Sequence, residues 1–154
     1  MDDPFEVRVL GSGDAAALRA MLVMFGDAFD DAAAYTARQP DDAYLEALLA
    51  RDTFVAVAAF AGDAVVGGLA GYVLPKFEQA RSELYIYDLA VAAAERRRGI
   101  ATALVRAVQR LAAERGIWVA FVQADHGDDA AIALYTKLGV REDVLHFDIA
   151  PMPR

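Results

Sequence analysis

A short basic loop between two regular segments has the composition of a phosphate-binding site. Residues 96–101, Arg-Arg-Arg-Gly-Ile-Ala, follow an apolar run at 84–91 and open a helically periodic segment at 101–115. Unpaired backbone N–H groups in the first turn of a helix, together with the helix dipole, favour an anion. Arginine adds positive charge and fork-shaped donors that match phosphate oxygens. The loop therefore predicts a site for pyrophosphate.

Two common phosphate-binding motifs do not fit this loop. The P-loop requires Gly-Lys-Ser/Thr after its glycines, and the sequence contains no such tripeptide. The dinucleotide fingerprint requires three spaced glycines, of which only Gly99 is present. What remains is Arg-x-x-Gly-x-Ala. For these six residues alone, a solvated basic turn with one glycine is the alternative interpretation.

Hydrophobic periodicity predicts the element order β-α-α-β-β-β-α-β-α-β, without an internal repeat or a linker. The segment at 26–39 is less regular, and the second helix is predicted to begin at residues 40–41. The other predicted helices cover 15–25, 101–115 and 130–138. The predicted strands cover 5–10, 53–61, 64–74, 84–91, 118–124 and 144–149.

Length and composition limit the class of protein. The chain has 154 residues and is 57% hydrophobic, which predicts a single globular domain over residues 1–154. It has no cysteine and no uncharged apolar run of membrane-spanning length, which favours a cytoplasmic protein and no membrane partner. The 15 basic and 23 acidic residues give a net charge of −8, which opposes nucleic-acid binding. An acidic surface attracts polycations, although solubility alone also explains it.

Two signatures resemble those of a known superfamily, the GNAT N-acetyltransferases. Residues 96–101 are similar to its acyl-coenzyme A loop, and residues 131–140, Ala-Ile-Ala-Leu-Tyr-Thr-Lys-Leu-Gly-Val, are similar to its second signature. The predicted element order is also similar. The resemblance implies a GNAT fold of the α/β (α+β) class. Its central sheet would be mixed and mostly antiparallel, splayed between the fourth and fifth strands and flanked by helices.

Longer segments resemble a narrower group, the aminoglycoside 3-N-acetyltransferases of the gentamicin-resistance type. These segments are residues 24–26, 39–41, 72–79, 81–91, 121–125, 127–129 and 146–149. The resemblance implies acetyl transfer from acetyl-CoA to the 3-amino group of the 2-deoxystreptamine ring of gentamicin-like antibiotics. The neutral amine would attack the thioester directly, and the modified drug would no longer act. The alternatives are acetylation of another amine, such as a polyamine or a protein N-terminus, and a non-catalytic acyl-CoA-binding module.

The same resemblance implies where acetyl-CoA binds. A strand end would pair with the pantetheine arm, and the basic loop would surround the pyrophosphate, with Arg97 the least certain because it can point to solvent. Asp128 departs from the asparagine that many relatives carry at its position, which puts that contact in doubt. The implied cofactor-binding residues are Leu89, Ala90, Val91, Arg96, Arg97, Arg98, Gly99, Ile100, Ala101, Thr102, Asp128 and Ala131.

Three residues are predicted to be catalytic. Tyr135 stands at the position of the superfamily's usual acid, where its phenol would protonate the leaving thiolate. Asp88 is the favoured acceptor of the amine proton, Glu83 is second, and a chain of water molecules is the alternative to both. Because Glu83 and Asp88 have opposite parity in one strand, an unbroken strand would aim them at opposite faces. A β-bulge, which the fold implies, changes which face each uses.

Acidic loops are predicted to bind the polycationic substrate. The predicted substrate-binding residues are Asp27, Asp30, Asp31, Tyr35, Glu78, Asp125, His126 and Asp148. His126 and His146 are the only histidines and lack the spacing of metal ligands, so no metal is predicted. Because relatives often dimerise through their last strands, a homodimer is an expectation by analogy.

Overall fold

The computed structural model describes residues 4–154. They divide into two compact units, the first ending at Gln123 and the second covering Ala124–Arg154. The single domain predicted over residues 1–154 stays a prediction. In the first unit the strands are β1 (Glu6–Val9), β2 (Phe54–Ala61), β3 (Ala64–Pro75), β4 (Ser82–Val91) and β5 (Val119–Val122). Its helices are α1 (Ala15–Ala28), α2 (Ala32–Thr36), α3 (Asp42–Leu49) and α4 (Ile100–Arg115), and the second unit contains α5 (Asp129–Leu138).

The strands form one mixed sheet in the order β1-β2-β3-β4-β5. Neighbouring strands are antiparallel except for β4 and β5, which are parallel. The mixed, mostly antiparallel sheet expected from the sequence is therefore confirmed. Its centre is buried on both faces, and the run from Phe54 to Ala59 in β2 is buried without alternation.

Two glycines in β3 allow helices to pack closely on opposite faces of the sheet. A Cβ added at Gly68 would collide with Met21 of α1, whereas one added at Gly67 would lie 2.8 Å from a methyl of Ile100 in α4. The helices α1 and α4 therefore cover different faces, which are called here the α1 face and the α4 face. Since helices can approach a strand that lacks side chains, these glycines promote packing although they weaken a strand intrinsically.

The strand β4 is where the sheet opens. Glu83–Ile86 pairs with Val119–Val122 of β5, whereas residues 87–91 of β4 continue without a strand partner on that edge of the described sheet. On its other edge β4 pairs with β3 as far as Val91. The predicted splay between the fourth and fifth strands is therefore confirmed, and it begins at Tyr87.

A β-bulge lies at the same place. Gly71 of β3 pairs with Ile86 and Ala70 pairs with Asp88, so that Tyr87 is an additional residue in β4. Gly71 accommodates the irregularity, since a Cβ there would lie 2.6 Å from the carbonyl oxygen of Tyr85. The bulge changes the parity of β4 just before the splayed half begins.

The structure corrects two predictions of secondary structure. The helix α2 lies in the segment predicted to be irregular, where the Asp31 carboxylate accepts the Ala34 N–H and caps its first turn. The strand predicted at 144–149 is wrong, because residues 140–154 form no regular element. Alternating polarity there cannot make a strand without a hydrogen-bonded neighbour. Leu145, Phe147 and Ile149 are instead largely exposed.

The remaining predicted elements form with small shifts of their ends, because helix and strand termini are weakly specified. The homodimer expected through the last strands stays a prediction. Among the helices of residues 4–154, none is long and apolar enough to cross a membrane.

Candidate functional site

The basic loop ends in a helix start that is open to a ligand. Gly99 precedes α4 with a left-handed backbone, φ +79°, and a Cβ added there would meet nothing within 4 Å. The first N–H groups of α4, from Ile100, Ala101 and Thr102, have no acceptor within the helix by the geometry of any helix start. Because glycine carries no side chain over this turn, an anion can approach these N–H groups closely. This geometry fits a phosphate.

The three arginines of the loop differ in their contacts. The Arg96 Nε lies 3.4 Å from the carbonyl oxygen of Val91 and ties the loop to the end of β4. The Arg98 guanidinium is paired with the Glu95 carboxylate and lies over the Phe5 ring, 5.9 Å from its centroid. Arg97 is exposed and has a left-handed backbone, φ +64°. Arg98 therefore braces the loop, while Arg97 presents its side chain to solvent.

The splayed end of β4 offers a free backbone edge beside this loop. Leu89, Ala90 and Val91 pair with β3 on one side. On the other side β5 ends at Val122, whose partner is Ile86. Amide groups on an unpaired strand edge bind an extended ligand as an added strand would be bound. The predicted pantetheine-binding residues therefore lie where such a ligand can pair.

Asp88 lies at the start of the splayed segment and faces the helices of the α1 face. Its Oδ1 accepts a hydrogen bond of 3.2 Å from the phenol of Tyr35 in α2. Burial raises the pKa of Asp88, and the hydrogen bond from Tyr35 opposes the shift. Burial and the neighbouring Asp88 charge raise the pKa of Tyr35 to about 12, so its phenol remains a donor at neutral pH. Asp88 is thus a carboxylate suited to exchanging a proton.

The bulge brings Glu83 to the same face as Asp88. Tyr85 pairs with Tyr72, and Asp88 pairs with Ala70, two residues away on β3, so Tyr85 and Asp88 share the α1 face. Glu83 shares the parity of Tyr85. The bulge expected in this strand is present, and it turns Glu83 and Asp88 to one face. Glu83 is also 3.8 Å from the Lys76 ammonium, which lies 3.6 Å from Glu78, so its charge is partly neutralised.

The predicted substrate acids of the first unit lie near α1 and α2. Asp27 is in the last turn of α1, Asp30 has a left-handed backbone with φ +51°, and Asp31 caps α2. All three side chains are exposed. Tyr35 is fixed between Phe25 and Phe29, with ring centroids 6.0 and 5.7 Å from its own. The structure therefore joins Tyr35 directly to Asp88, whereas the three acids are exposed and Asp31 also caps α2.

In the second unit, Asp128 is the N-cap residue of α5. Its carboxylate accepts the Ala131 N–H at 3.2 Å and caps α5, which explains why an acidic residue is tolerated there. Asp125 accepts the Asp128 N–H through its carbonyl oxygen, and His126 is exposed in the same turn. Asp148 lies 3.0 Å from His146 in the exposed tail and not in a strand.

Tyr135 lies in α5 and is half-buried. Burial, with a smaller contribution from the Asp128 charge, raises the pKa of Tyr135 to about 12. The phenol is therefore protonated throughout the neutral range and is able to donate its proton. Among residues 4–154, no group of three histidine, aspartate or glutamate side chains is placed to hold a metal ion.

Sequence reasoning missed Tyr72 and Tyr87, which join Tyr85 in a group of tyrosines on the α1 face. The ring of Tyr87 makes edge contacts with Tyr72 and Tyr85, at centroid distances of 5.9 and 5.4 Å. Tyr85 also stacks on Phe121 at 4.7 Å and donates a 2.8 Å hydrogen bond to Gln123. The spacing of Tyr85 and Tyr87 was a visible signal, but only the register between strands places Tyr72 beside them.

Comparison with known proteins identifies the family. The family model described as acetyltransferase (GNAT) family matches residues 20–140 of this chain. The chain belongs to the GNAT acetyltransferase family. No curated protein sequence matches it.

Solved structures similar to this GNAT protein include aminoglycoside acetyltransferases. One, HMB0005 from an uncultured soil metagenomic sample, is 53% identical with a TM-score of 0.94, over 97% of this chain and 99% of that one. A second aminoglycoside acetyltransferase from an uncultured soil metagenomic sample, meta-AAC0020 in complex with trehalose, is 30% identical to this chain. Its TM-score is 0.89, and the match covers 98% of this chain and 99% of that one. Its sisomicin complex is 29% identical, with a TM-score of 0.88 over 96% and 97%. A more distant match, AAC(6')-Iy in complex with CoA, is 16% identical with a TM-score of 0.74 over 98% and 97% and shows the fold alone.

Proposed function

We propose that this GNAT acetyltransferase transfers the acetyl group of acetyl-CoA to the 3-amino group of the 2-deoxystreptamine ring of gentamicin-like aminoglycosides. The observation that carries acetyl transfer is the open anion site at Gly99 next to the unpaired edge of β4. The similarity of the whole chain to aminoglycoside acetyltransferases supports the class of substrate. The gentamicin-type segments of the sequence support the position of transfer and a role in resistance.

The residues at the loop and the strand end fit acetyl-CoA. The N–H groups at the start of α4 and the side chains of Arg96 and Arg97 would hold the pyrophosphate, with Arg98 bracing the loop. The backbone of Leu89, Ala90 and Val91 would pair with the pantetheine arm. When bound, acetyl-CoA supplies the thioester carbonyl that the amine attacks. We further propose a cytoplasmic location, where acetyl-CoA is available.

The chemistry requires a proton acceptor and a proton donor. The substrate amine is an ammonium at neutral pH, and the Asp88 carboxylate accepts its proton directly or through water. The freed amine would attack the thioester carbonyl and form the C–N bond. As the C–S bond breaks, the Tyr135 phenol would give its proton to the departing thiolate, and the second proton lost by the nitrogen would pass through water to the Tyr135 phenolate. Glu83, held near Lys76, is the second candidate for the proton acceptor.

The acidic character of the protein fits a polycationic substrate. The net charge of −8 steers such a molecule toward the surface. Asp27, Asp30 and Asp31 are exposed carboxylates between the end of α1 and the start of α2, the helix that carries Tyr35. Glu78 and Glu83 share the Lys76 ammonium, at 3.6 and 3.8 Å. Asp125, His126 and Asp148 of the second unit complete the proposed set of substrate-binding residues.

Incubation of the purified protein with acetyl-CoA and gentamicin tests this function directly. We expect release of free thiol and a monoacetylated product, with the acetyl group at the 3-amino position by mass and NMR analysis. Transfer to a polyamine or a peptide N-terminus, with none to gentamicin, would contradict the aminoglycoside assignment. Binding of acetyl-CoA without transfer to any of these amines would indicate a binding module.

The anion site can be tested with two matched glycine substitutions in α4. Gly99 and Gly116 have left-handed backbones, with φ +79° and +67°, and space around the missing Cβ. Valine strains the backbone at either end. Only Gly99→Val covers the first-turn N–H groups, so it should raise the KM for acetyl-CoA about 10-fold or more, as expected for the loss of a charged hydrogen bond. Gly116→Val should lower the thermal midpoint similarly and leave this KM unchanged. Equal KM values in both variants would reject the phosphate site.

A further inference from the structure

The bulge in β4 displays an open arrangement of three tyrosines beside Asp88. The rings of Tyr72 and Tyr85 are inclined to that of Tyr87 by 83° and 68°, so the Tyr87 ring stands at a steep angle to both of its neighbours. Tyr87 is 63% exposed and Tyr72 is 41% exposed. These rings, called here the tyrosine corner, thus keep part of their surface available to a ligand.

The register of the sheet explains why the corner is open. Phe54, Tyr72, Tyr85 and Phe121 lie on neighbouring strands in one cross-strand row. Such a row is a normal stabilising feature of a sheet. Tyr87 does not belong to it, because the bulge leaves Tyr87 without a pairing partner in β3. Its large exposed ring contributes little to the core, so packing alone does not account for it.

The corner is electrically suited to a cation. The face of a tyrosine ring carries negative potential, and several rings around one point attract an ammonium group. The Asp88 charge adds to this field. It contributes to the raised pKa values of Tyr72 and Tyr85, after the larger effect of burial, so it acts on the rings at either side of the corner. A ligand with both positive charge and apolar C–H surface matches this combination.

We infer that Tyr72, Tyr85 and Tyr87 form a subsite for an ammonium-bearing sugar ring, next to the amine that loses its proton to Asp88. This inference rests on the proposed function, which supplies such a ligand. The reacting amine must become neutral, whereas the amine in the corner remains charged. The corner therefore selects substrates that carry a second ammonium group near the acetylated position and does not take part in proton transfer.

Substitution of Tyr87 separates a ring contact from a contact of its hydroxyl. Tyr87→Phe retains the ring, whereas Tyr87→Leu removes it. We expect Tyr87→Leu to raise the KM for gentamicin about 3-fold to 30-fold, the range of a cation–π contact, with the KM for acetyl-CoA unchanged. Tyr87→Phe should stay within about 2-fold of the wild type, since a phenylalanine face also attracts cations.

A matched control is Trp118→Leu. Trp118 is an aromatic residue of similar exposure, 58%, and lies just before β5. By its parity with Ala120, the partner of Leu84, it belongs to the α4 face. This variant should leave the KM for gentamicin unchanged. Thermal midpoints of all three variants identify any loss of folded protein.

Tetramethylammonium is a probe that does not depend on catalysis. It is a cation without hydrogen-bond donors, so aromatic faces bind it while ordinary carboxylate hydrogen bonding does not. Titration at constant ionic strength, followed through the tyrosine NMR signals, should shift the ring signals of the wild type and Tyr87→Phe but not those of Tyr87→Leu. Absence of these shifts in the wild type, or an unchanged gentamicin KM in Tyr87→Leu, would overturn the subsite. If tetramethylammonium binds but no aminoglycoside is acetylated, the proposed function fails and the cation subsite stands.

Discussion

Replacement of Asp88 by asparagine should lower kcat/KM for the aminoglycoside at pH 7 by about 100-fold or more, the range typical of general-base catalysis. Asparagine has nearly the same shape and still accepts a hydrogen bond from Tyr35, but it cannot take a proton. The fold should therefore persist while the ammonium of the substrate keeps its proton. The measurement is steady-state thiol release with gentamicin, accompanied by the thermal midpoint.

The wild type and Asp88→Asn should also differ in how kcat/KM depends on pH. Asp88 accepts a proton only when ionised, so wild-type kcat/KM should fall as pH decreases through the pKa of Asp88. Burial raises that pKa, which places the fall at higher pH than for an exposed aspartate. The asparagine variant depends on the small fraction of amine that is neutral in solution. Its activity should instead increase about 10-fold per pH unit until the amine itself titrates.

Two further variants test whether Asp88 is the acceptor. Tyr35→Phe removes a donor that favours the ionised carboxylate, so the acid limb of the profile should move to higher pH. Glu83→Gln should change kcat/KM much less than Asp88→Asn. A wild-type pH profile in Asp88→Asn, or a larger loss in Glu83→Gln, would assign the proton to Glu83 or to water.

The second large effect is expected at Tyr135. Tyr135→Phe should lower kcat by about 100-fold, typical of the loss of a general acid, with little change in the KM for either substrate. The pKa of Tyr135 is raised to about 12, so its phenol is fully protonated at the pH of the assay. A change of pH within the neutral range should therefore not restore the activity that Tyr135→Phe loses. Single-turnover measurement of acetyl transfer distinguishes the chemical step from product release.

A matched control for Tyr135→Phe is the same substitution at Tyr44. Tyr44 lies in α3 and is 60% exposed. Tyr44→Phe removes a hydroxyl from a helix without touching the proposed chemistry, so kcat should not change. Normal turnover in Tyr135→Phe would show that the thiolate leaves without a proton from this residue.

Local sequence determined the helix start that we propose as the anion site. A glycine just before an apolar helix, preceded by arginines, specifies its geometry through interactions a few residues apart. Gly99 does adopt a left-handed backbone there and opens α4. The two signatures at residues 96–101 and 131–140 were sufficient to suggest the family for the same reason, since each is one continuous stretch of sequence.

The bulge in β4 depended on contacts between strands. From β4 alone, Glu83 and Asp88 have opposite parity, and only pairing with Ala70 and Gly71 of β3 turns both to the α1 face. The same register places Tyr72 beside Tyr87, although 15 positions separate them in the printed sequence. Sequence periodicity carries no record of which residue in one strand opposes which residue in the next.

In the last segment, the sequence predicted an element that the structure does not contain. The alternation at residues 144–149 predicted a strand, yet this segment forms none in the structure. Polarity alternation reports only that a segment could bury one face, whereas a strand also requires another strand to satisfy its backbone. The sequence by itself thus determined the family, the helix start that we propose binds phosphate, and most element positions. Only the tertiary structure decided that Glu83 and Asp88 share a face, that the tyrosine corner forms, and that residues 144–149 form no strand. Each of these features depends on pairing between distant segments.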